Sequence, residues 1–124
     1  LPDSRFADFA TVGGPTLIAD NACAHELLVG PACTADWRGL DLAAHRVRAH
    51  IKGKGARDGV GSNVLGDPRV AMTWLANELS GLGIPLAKGE VVTTGTCMVP
   101  IPIAAGDRID ADFGVLGKIS VRLG

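Results

Sequence analysis

A cysteine and a histidine near the N-terminus have the residue types of a nucleophile and its base. Cys23 and His25 are two residues apart, so on an extended chain their side chains would share a face. Spacing alone does not fix the geometry that a thiol–imidazole pair needs, and an unreactive thiol is the alternative. His45 and His50 are five residues apart and would face opposite sides of a strand. We expect both to face solvent rather than share a metal ion.

Carboxylates are spread along the chain rather than gathered in one segment. A hard cation needs several converging oxygens, whereas Asp110 and Asp112 alternate in the manner of a solvated strand. The chain has neither the phosphate-binding motif Gly-x-x-x-x-Gly-Lys-Ser/Thr nor a Gly-x-Ser-x-Gly nucleophile elbow. Residue types alone therefore disfavour a metal site, a phosphate-binding loop and serine hydrolysis.

A Gly-Thr step closes an apolar, threonine-rich segment. Residues 92–96 read Val-Thr-Thr-Gly-Thr, ending at Gly95 and Thr96. Backbone N–H groups and hydroxyls at such a strand end can donate hydrogen bonds to an anion. The segment therefore predicts either an anion-binding strand end or a threonine-rich strand end without a ligand.

One helix is strongly predicted in the middle of the chain. Asp67 is a favourable N-cap, Pro68 suits the first helical position, and Gly83 is a natural stop. Apolar residues recur at three- and four-residue spacing and predict one broad stripe that packs in the core. The stripe consists of Val70, Ala71, Trp74, Leu75, Leu79 and Leu82.

Strands are predicted on both sides of this helix. Alternation in residues 41–51 predicts a half-buried strand, Gly53-Lys54-Gly55 a hairpin turn, and residues 56–65 the returning strand. Gly59 and Gly61 in that returning strand indicate a bulge or a close backbone approach. The other strand-like runs are 27–30, 90–96, 99–103, 108–113 and 118–123, with prolines making 99–103 an edge or irregular strand. The predicted class is α+β, with one long helix packed on an antiparallel sheet.

The composition is that of one small folded domain or of part of a larger one. The chain has 124 residues, 47% hydrophobic and 20% charged, which excludes a disordered chain. A net charge of −1 provides no basic excess for nucleic acid or an anionic membrane. The odd cysteine count, without a Cys-x-x-Cys pair, predicts a reducing, cytoplasmic location, with Cys33 and Cys97 as small buried side chains. The start at Leu1 indicates a fragment, a processed chain or half of a nicked protein.

Five segments in register resemble the C-terminal half of the 2-keto-4-pentenoate hydratase group of the fumarylacetoacetate hydrolase superfamily. This group also includes 4-oxalocrotonate decarboxylases. The segments are 3–6 (Asp-Ser-Arg-Phe), 19–23 (Ala-Asp-Asn-Ala-Cys), 61–68 (Gly-Ser-Asn-Val-Leu-Gly-Asp-Pro) with 74–77 (Trp-Leu-Ala-Asn), 89–95 (Gly-Glu-Val-Val-Thr-Thr-Gly) and 111–121. Each motif alone is weak, but their order and spacing hold along essentially the whole chain.

The resemblance implies a fold and a reaction. The fold would be a mixed β-sandwich or roll with one long helix, in which residues 1–124 are the C-terminal portion of the catalytic domain. The reaction would be hydration of a 2-hydroxy-2,4-dienoate to a 4-hydroxy-2-oxo acid in meta-cleavage catabolism of aromatic compounds. Mg²⁺ or Mn²⁺ would hold the 2-oxo acid and act as a Lewis acid. A 4-oxalocrotonate-type decarboxylase would use the same electron sink and is the alternative.

The resemblance also implies that this chain is incomplete by itself. The family holds its metal on a Glu-x-Glu pair and on a third Glu just before the Asp-Ser-Arg segment, so all three ligands are expected upstream of Leu1. The N-terminal half of the same domain is therefore an expected partner, together with a homo-oligomer. A non-catalytic or assembly-forming half is the second hypothesis. Acylpyruvate hydrolysis is disfavoured, because Cys97 follows Gly95 and Thr96 where such enzymes have proline.

Eight residues match positions near the family's substrate. Asp20 and Cys23 would be catalytic, although Cys23 replaces a serine and a thiol is a poor hydrogen-bond donor. The substrate-binding residues would be Asn21, Gly95 and Thr96. Structural support of the site would come from Asp3, Ser4 and Arg5, beside the missing metal ligand.

Overall fold

The computed structural model describes all 124 residues, which form two units, Leu1–Gly30 and Pro31–Gly124. The first unit contains the short helix α1 (Gly14–Ala19) and a 3-10 turn at Asn21–Cys23. An isolated antiparallel bridge joins Pro2 to Ala24. The strand predicted at 27–30 is wrong, because no neighbouring strand pairs with these residues.

The second unit is built on a four-stranded antiparallel sheet. Its strands are β1 (Arg46–Ile51), β2 (Gly55–Val60), β3 (Arg108–Asp112) and β4 (Lys118–Arg122), in the spatial order β2-β1-β3-β4. The predicted hairpin is confirmed: the Lys54 amide donates to the Ile51 carbonyl at 3.0 Å, and Gly53 and Gly55 have positive φ angles. The returning strand, predicted to reach residue 65, ends at Val60 because the chain turns into a 3-10 turn at Gly61–Asn63. The last two predicted strands are confirmed as β3 and β4.

The two faces of this sheet differ in polarity. On one face Val47, Ala49 and Ile51 are buried, Ile51 being 1% exposed, as the alternation in β1 predicts. Side chains of opposite charge alternate across all four strands on the other face, in the order Asp58, Arg48, Asp112 and Lys118. Because a shift of one residue would exchange the two faces, the apolar face fixes this register.

Helix α2 (Pro68–Gly81) begins as predicted, with the Asp67 carboxylate accepting a hydrogen bond from the Arg69 amide at 2.8 Å. It ends at Gly81 with Leu82 as its C-cap, and Gly83 follows with φ +72°. The prediction of a buried stripe is wrong. No residue of α2 is buried, and Trp74 is 62% exposed and Val70 53% exposed. The rest of the chain covers only part of the apolar stripe. Leu75 and Leu79 are half-buried, while Val70 and Trp74 face solvent.

No regular strand lies between α2 and β3, so the strands predicted at 90–96 and 99–103 are wrong. No ladder of hydrogen bonds forms there, and the prolines at positions 100 and 102 could not donate to one. The predicted close approach at Gly59 is confirmed, since a Cβ there would lie 2.6 Å from the Cys97 carbonyl oxygen. Neither helix is long and apolar enough to cross a membrane.

Candidate active site

Asp20 is the centre of a polar cluster in the first unit. It is the one charged residue that is buried, with 8% of its surface exposed. The Ser4 hydroxyl donates to its Oδ2 at 2.6 Å and the Arg5 amide donates to the same oxygen at 3.3 Å. The Arg5 guanidinium lies 3.7 Å from Oδ1. A buried charge needs such partners, so Asp20 connects its own segment to the Asp-Ser-Arg segment.

Three successive residues after Asp20 adopt left-handed backbone conformations. The φ angles are 55° at Asn21, 51° at Ala22 and 61° at Cys23. Only glycine adopts this region without cost, and each other residue pays roughly 1–2 kcal/mol. Residue type does not predict this conformation at Ala22 or Cys23, since only asparagine is enriched in the left-handed region. Strain of this kind tends to accumulate at functional sites.

Hydrogen bonds hold this left-handed turn in place. The Asp3 amide donates to the Cys23 carbonyl at 2.9 Å, and the Cys23 amide donates to the Asp20 carbonyl at 3.1 Å. The Asn21 side-chain amide donates to the Ala24 carbonyl at 3.0 Å. The first unit therefore brings together the six predicted site residues that it contains, which are Asp3, Ser4, Arg5, Asp20, Asn21 and Cys23.

The suggested pair of Cys23 and His25 does not form. Cys23 is buried, while His25 is exposed, and no hydrogen bond joins them. Because the turn reverses the chain at Asn21–Cys23, the extended spacing that would align the two side chains is absent. The Cys23 thiol therefore has no hydrogen-bonded base.

The Gly-Thr step lies in the second unit, in the irregular segment after α2. Gly95 has φ +118°, and both Gly95 and Thr96 are exposed. The Thr96 hydroxyl donates to the Met98 carbonyl at 2.7 Å, so its proton is already engaged. The amides of Gly95 and Thr96, in contrast, donate no hydrogen bond within the chain. The groups that can receive an anion here are therefore backbone amides rather than the hydroxyl.

The other two cysteines are half-buried, so the prediction of small buried side chains is confirmed only in part. Burial raises the pKa of the Cys97 thiol, which keeps it protonated and poorly nucleophilic at neutral pH. The Cys33 thiol lies 3.8 Å from the Val115 carbonyl oxygen and 3.9 Å from that of Ala35. Neither thiol has a base as partner.

The histidines have different surroundings. His50 is exposed, as predicted. The prediction is wrong for His45, which is half-buried with Nε2 2.8 Å from the Phe113 carbonyl oxygen. This hydrogen bond connects the start of β1 to the turn between β3 and β4, a contact between distant parts of the sequence that periodicity could not indicate.

Asp110 and Asp112 lie on the charged face of the sheet, as predicted. The Ser120 hydroxyl, at 2.5 Å, and the Arg108 guanidinium hold the pKa of Asp110 below its usual value. Lys118, at 2.7 Å, and the Gly114 amide do the same for the pKa of Asp112. No group of three or more His, Cys, Asp or Glu side chains is arranged to hold a metal ion.

Sequence comparison finds hydratases and decarboxylases. No protein-family model matches the chain. The 2-hydroxyhexa-2,4-dienoate hydratase of Comamonas testosteroni is 39% identical over 98% of this chain and 46% of its own length. The 2-keto-4-pentenoate hydratase of Paraburkholderia xenovorans is 30% identical over 94% of this chain and 42% of its own. A 4-oxalocrotonate decarboxylase of a Pseudomonas species is 31% identical over 97% of this chain and 45% of its own.

Solved structures with a similar fold are of 4-oxalocrotonate decarboxylase from Pseudomonas putida. The complex with magnesium and adipate matches with a TM-score of 0.80 and 31% identity, over 99% of this chain and 46% of that chain. The complex with calcium and acetate matches with a TM-score of 0.79 and 32% identity. The present chain thus spans about half the length of the proteins it matches. The resemblance of its motifs is confirmed: along nearly its whole length, the chain is a homologue of the 2-keto-4-pentenoate hydratase and 4-oxalocrotonate decarboxylase group.

Proposed function

We propose that this chain is the C-terminal portion of a hydratase that adds water to a 2-hydroxy-2,4-dienoate and gives a 4-hydroxy-2-oxo acid, in cytoplasmic catabolism of aromatic compounds. The observation that carries the proposal is the 39% identity to a 2-hydroxyhexa-2,4-dienoate hydratase, against 31% to a decarboxylase. Both similarities extend over almost the whole chain, so the difference in identity favours hydration.

The exposed backbone amides of Gly95 and Thr96 are the proposed contact for the substrate carboxylate. Two adjacent amides without acceptors suit an anionic oxygen, because a hydrogen bond to a charged group is worth more than one between neutral groups. No carboxylate of the second unit accepts a hydrogen bond from the amide of Gly95 or Thr96. The engaged hydroxyl of Thr96 would hold the segment in shape rather than touch the substrate.

The left-handed turn at Asn21–Cys23, within the first unit, is proposed to present the two residues there that the resemblance assigns to the substrate. Its strain would place Asn21 and Cys23 in positions that an unstrained turn does not reach. Asp20 is catalytic in this proposal only if it reaches the reacting atoms. Its hydrogen bonds to Ser4 and Arg5 favour a role in holding the turn instead.

A divalent cation, Mg²⁺ or Mn²⁺, is part of this proposal, supported by the magnesium and calcium complexes of the similar decarboxylase. The carboxylates of this chain do not fit the group, because no three of them converge. The proposed ligands come from the N-terminal half of the domain, the expected partner.

Two alternatives each have an observation in their favour. A 4-oxalocrotonate-type decarboxylase is favoured by the TM-scores to that enzyme. A non-catalytic or assembly-forming half is favoured by Cys23, which is buried and, as a thiol, donates hydrogen bonds poorly.

The test is the loss of dienol absorbance of 2-hydroxypenta-2,4-dienoate and of its dicarboxylate analogue, measured with Mg²⁺ and with EDTA. The chain is assayed alone and with a supplied N-terminal half, and carbon dioxide is quantified. We expect turnover with Mg²⁺ and the N-terminal half, no carbon dioxide, and loss of turnover in EDTA. Stoichiometric carbon dioxide would establish the decarboxylase, and absence of turnover in every combination would establish the non-catalytic half.

A further inference from the structure

A single backbone oxygen ties the Gly-Thr segment to the rest of its unit. From residue 91 to residue 103, every hydrogen bond to other parts of the chain ends on the Cys97 carbonyl oxygen. The Val60 amide donates to it at 3.1 Å and the Asn63 side-chain Nδ2 at 2.8 Å. Two donors occupy both lone pairs of one carbonyl. This oxygen is therefore the one hydrogen-bonded anchor that fixes the place of Gly95 and Thr96.

The residue after Asn63 packs against the other end of the step. Val64 is buried, and its Cγ1 lies 3.4 Å from the position that a Cβ on Gly95 would take. Two successive residues thus contact the chain just before and just after Thr96. A movement of either would displace the pair of free amides.

The backbone that carries Asn63 is itself held by hydrogen bonds. Asn63 ends a 3-10 turn that begins at Gly61. The Gly61 amide donates to the His45 carbonyl at 3.0 Å, and the Ser62 amide donates to the Ala43 carbonyl at 2.8 Å. The Asn63 side chain is therefore presented from backbone that is fixed to the start of β1.

We propose that Asn63 is a positioning residue, whose carboxamide fixes the Cys97 carbonyl and thereby sets the place of the Gly95 and Thr96 amides that receive the substrate carboxylate. The inference rests on the proposed function for its consequence in binding. It gives a role to a residue of the matched motif at residues 61–68, to which the resemblance assigns none.

The test combines a structural and a functional readout on the full chain, assembled with the N-terminal half for turnover. Asn63→Ala is expected to shift the amide NMR resonances of Gly95 and Thr96. It is also expected to raise KM for the dienoate and the Kd for adipate, the probe ligand, by about tenfold, the usual value of one lost hydrogen bond. The kcat should change by less than about threefold, since positioning of a bound carboxylate acts mainly on binding. Lys52→Ala, an exposed side chain in the turn between β1 and β2 and outside the matched motifs, is the control and should leave all these quantities unchanged.

Two further variants keep the inference testable if Asn63→Ala folds poorly. Asn63→Gln keeps the N–H donor and should lie closer to the wild-type protein than Asn63→Ala does. Asn63→Asp keeps the shape but places an acceptor against the carbonyl, and should weaken adipate binding at least as much as Asn63→Ala.

The outcomes separate this inference from the proposed function. Unchanged Gly95 and Thr96 resonances and an unchanged KM in a folded Asn63 variant would overturn it. If the wild-type assembly neither turns over nor binds adipate, the proposed function fails, and the resonances alone then decide whether Asn63 sets the position of the segment.

Discussion

Two substitutions of Asp20 separate the stability that its hydrogen bonds contribute from the stability that its ion pair contributes. Asp20→Asn keeps an oxygen that can accept from Ser4 and Arg5 but removes the ion pair with a guanidinium that is largely in solvent. The variant should lose less than about 1 kcal/mol of unfolding free energy. Asp20→Ala leaves both donors without an acceptor and should lose about 1–3 kcal/mol.

Urea unfolding of the two variants measures this difference. Asp8→Ala is the control in the same unit, because its side chain is exposed and accepts no hydrogen bond. Equal losses for Asp20→Asn and Asp20→Ala would mean that the ion pair, rather than the hydrogen bonds, holds the segment.

Asp110 and Asp112 predict how stability depends on pH. Their pKa values are lowered in the folded chain, by Ser120 and Arg108 for Asp110 and by Lys118 for Asp112. A lowered folded-state pKa stabilises the protein above the unfolded value of about 4 and loses that contribution as the pH falls through the folded value. We therefore expect the urea midpoint to fall below about pH 4, and to fall less in the double variant Asp110→Asn/Asp112→Asn. A decline of equal size in both proteins would contradict this assignment.

Gly59 tests the contact between β2 and the irregular segment. A Cβ at this position would meet the Cys97 carbonyl oxygen at 2.6 Å and Met98 Cβ at 2.9 Å, both closer than real contacts allow. Gly59→Ala should therefore lower the free energy of unfolding by about 1–3 kcal/mol. Gly39→Ala, with nothing within 4 Å of its Cβ position, is the control and should change little. A neutral Gly59→Ala would mean that the segment can move away without cost.

At the scale of elements, the sequence predicts what local chemistry determines. The hairpin of β1 and β2 and the cap at Asp67 follow from turn residues and a capping side chain, and both are confirmed. The strands predicted at 90–96 and 99–103 fail, because a strand exists only if a partner strand is beside it, and their sequence carries no information about that partner. The Asn63 anchor joins residues 34 positions apart and could not be read from either segment.

The candidate site, like the elements, was predictable only in part. Motif resemblance found the residues that cluster around Asp20, since motifs keep their order along the chain. The left-handed turn at Asn21–Cys23 and the engaged hydroxyl of Thr96 depend on backbone angles that residue types leave open. Sequence therefore indicated which residues cluster in the first unit, but not the backbone geometry that they adopt there.

For the molecule as a whole, the exposed edge of α2 predicts association. Trp74, Val70 and Leu82 are large apolar side chains that are more than half exposed, and neighbouring exposed apolar groups typically mark interaction surfaces. We expect the chain to form a homo-oligomer or to bind the N-terminal half of the domain. Trp74→Gln should weaken either association, as measured by sedimentation equilibrium.

Ile18→Gln is the control for this experiment, because Ile18 is at least as exposed as Trp74 but lies on α1 in the first unit. It should leave association unchanged. A monodisperse wild-type monomer, both alone and with the N-terminal half, would contradict the prediction.

The strand order β2-β1-β3-β4 also has a consequence for how quickly the chain folds. The two outer pairings are hairpins between neighbours in sequence, whereas the central pairing of β1 with β3 must close the whole connection from Lys52, whose amide donates to the Arg108 carbonyl. Closing a loop costs entropy that grows with its length, by about 0.6 kcal/mol for each doubling. We expect a glycine–serine insertion after Lys88 that doubles this connection to slow folding in stopped-flow measurements by about threefold, with little effect on the unfolding rate. The middle of the sheet, where the apolar face is most buried, would then already be joined in the rate-limiting transition state of folding.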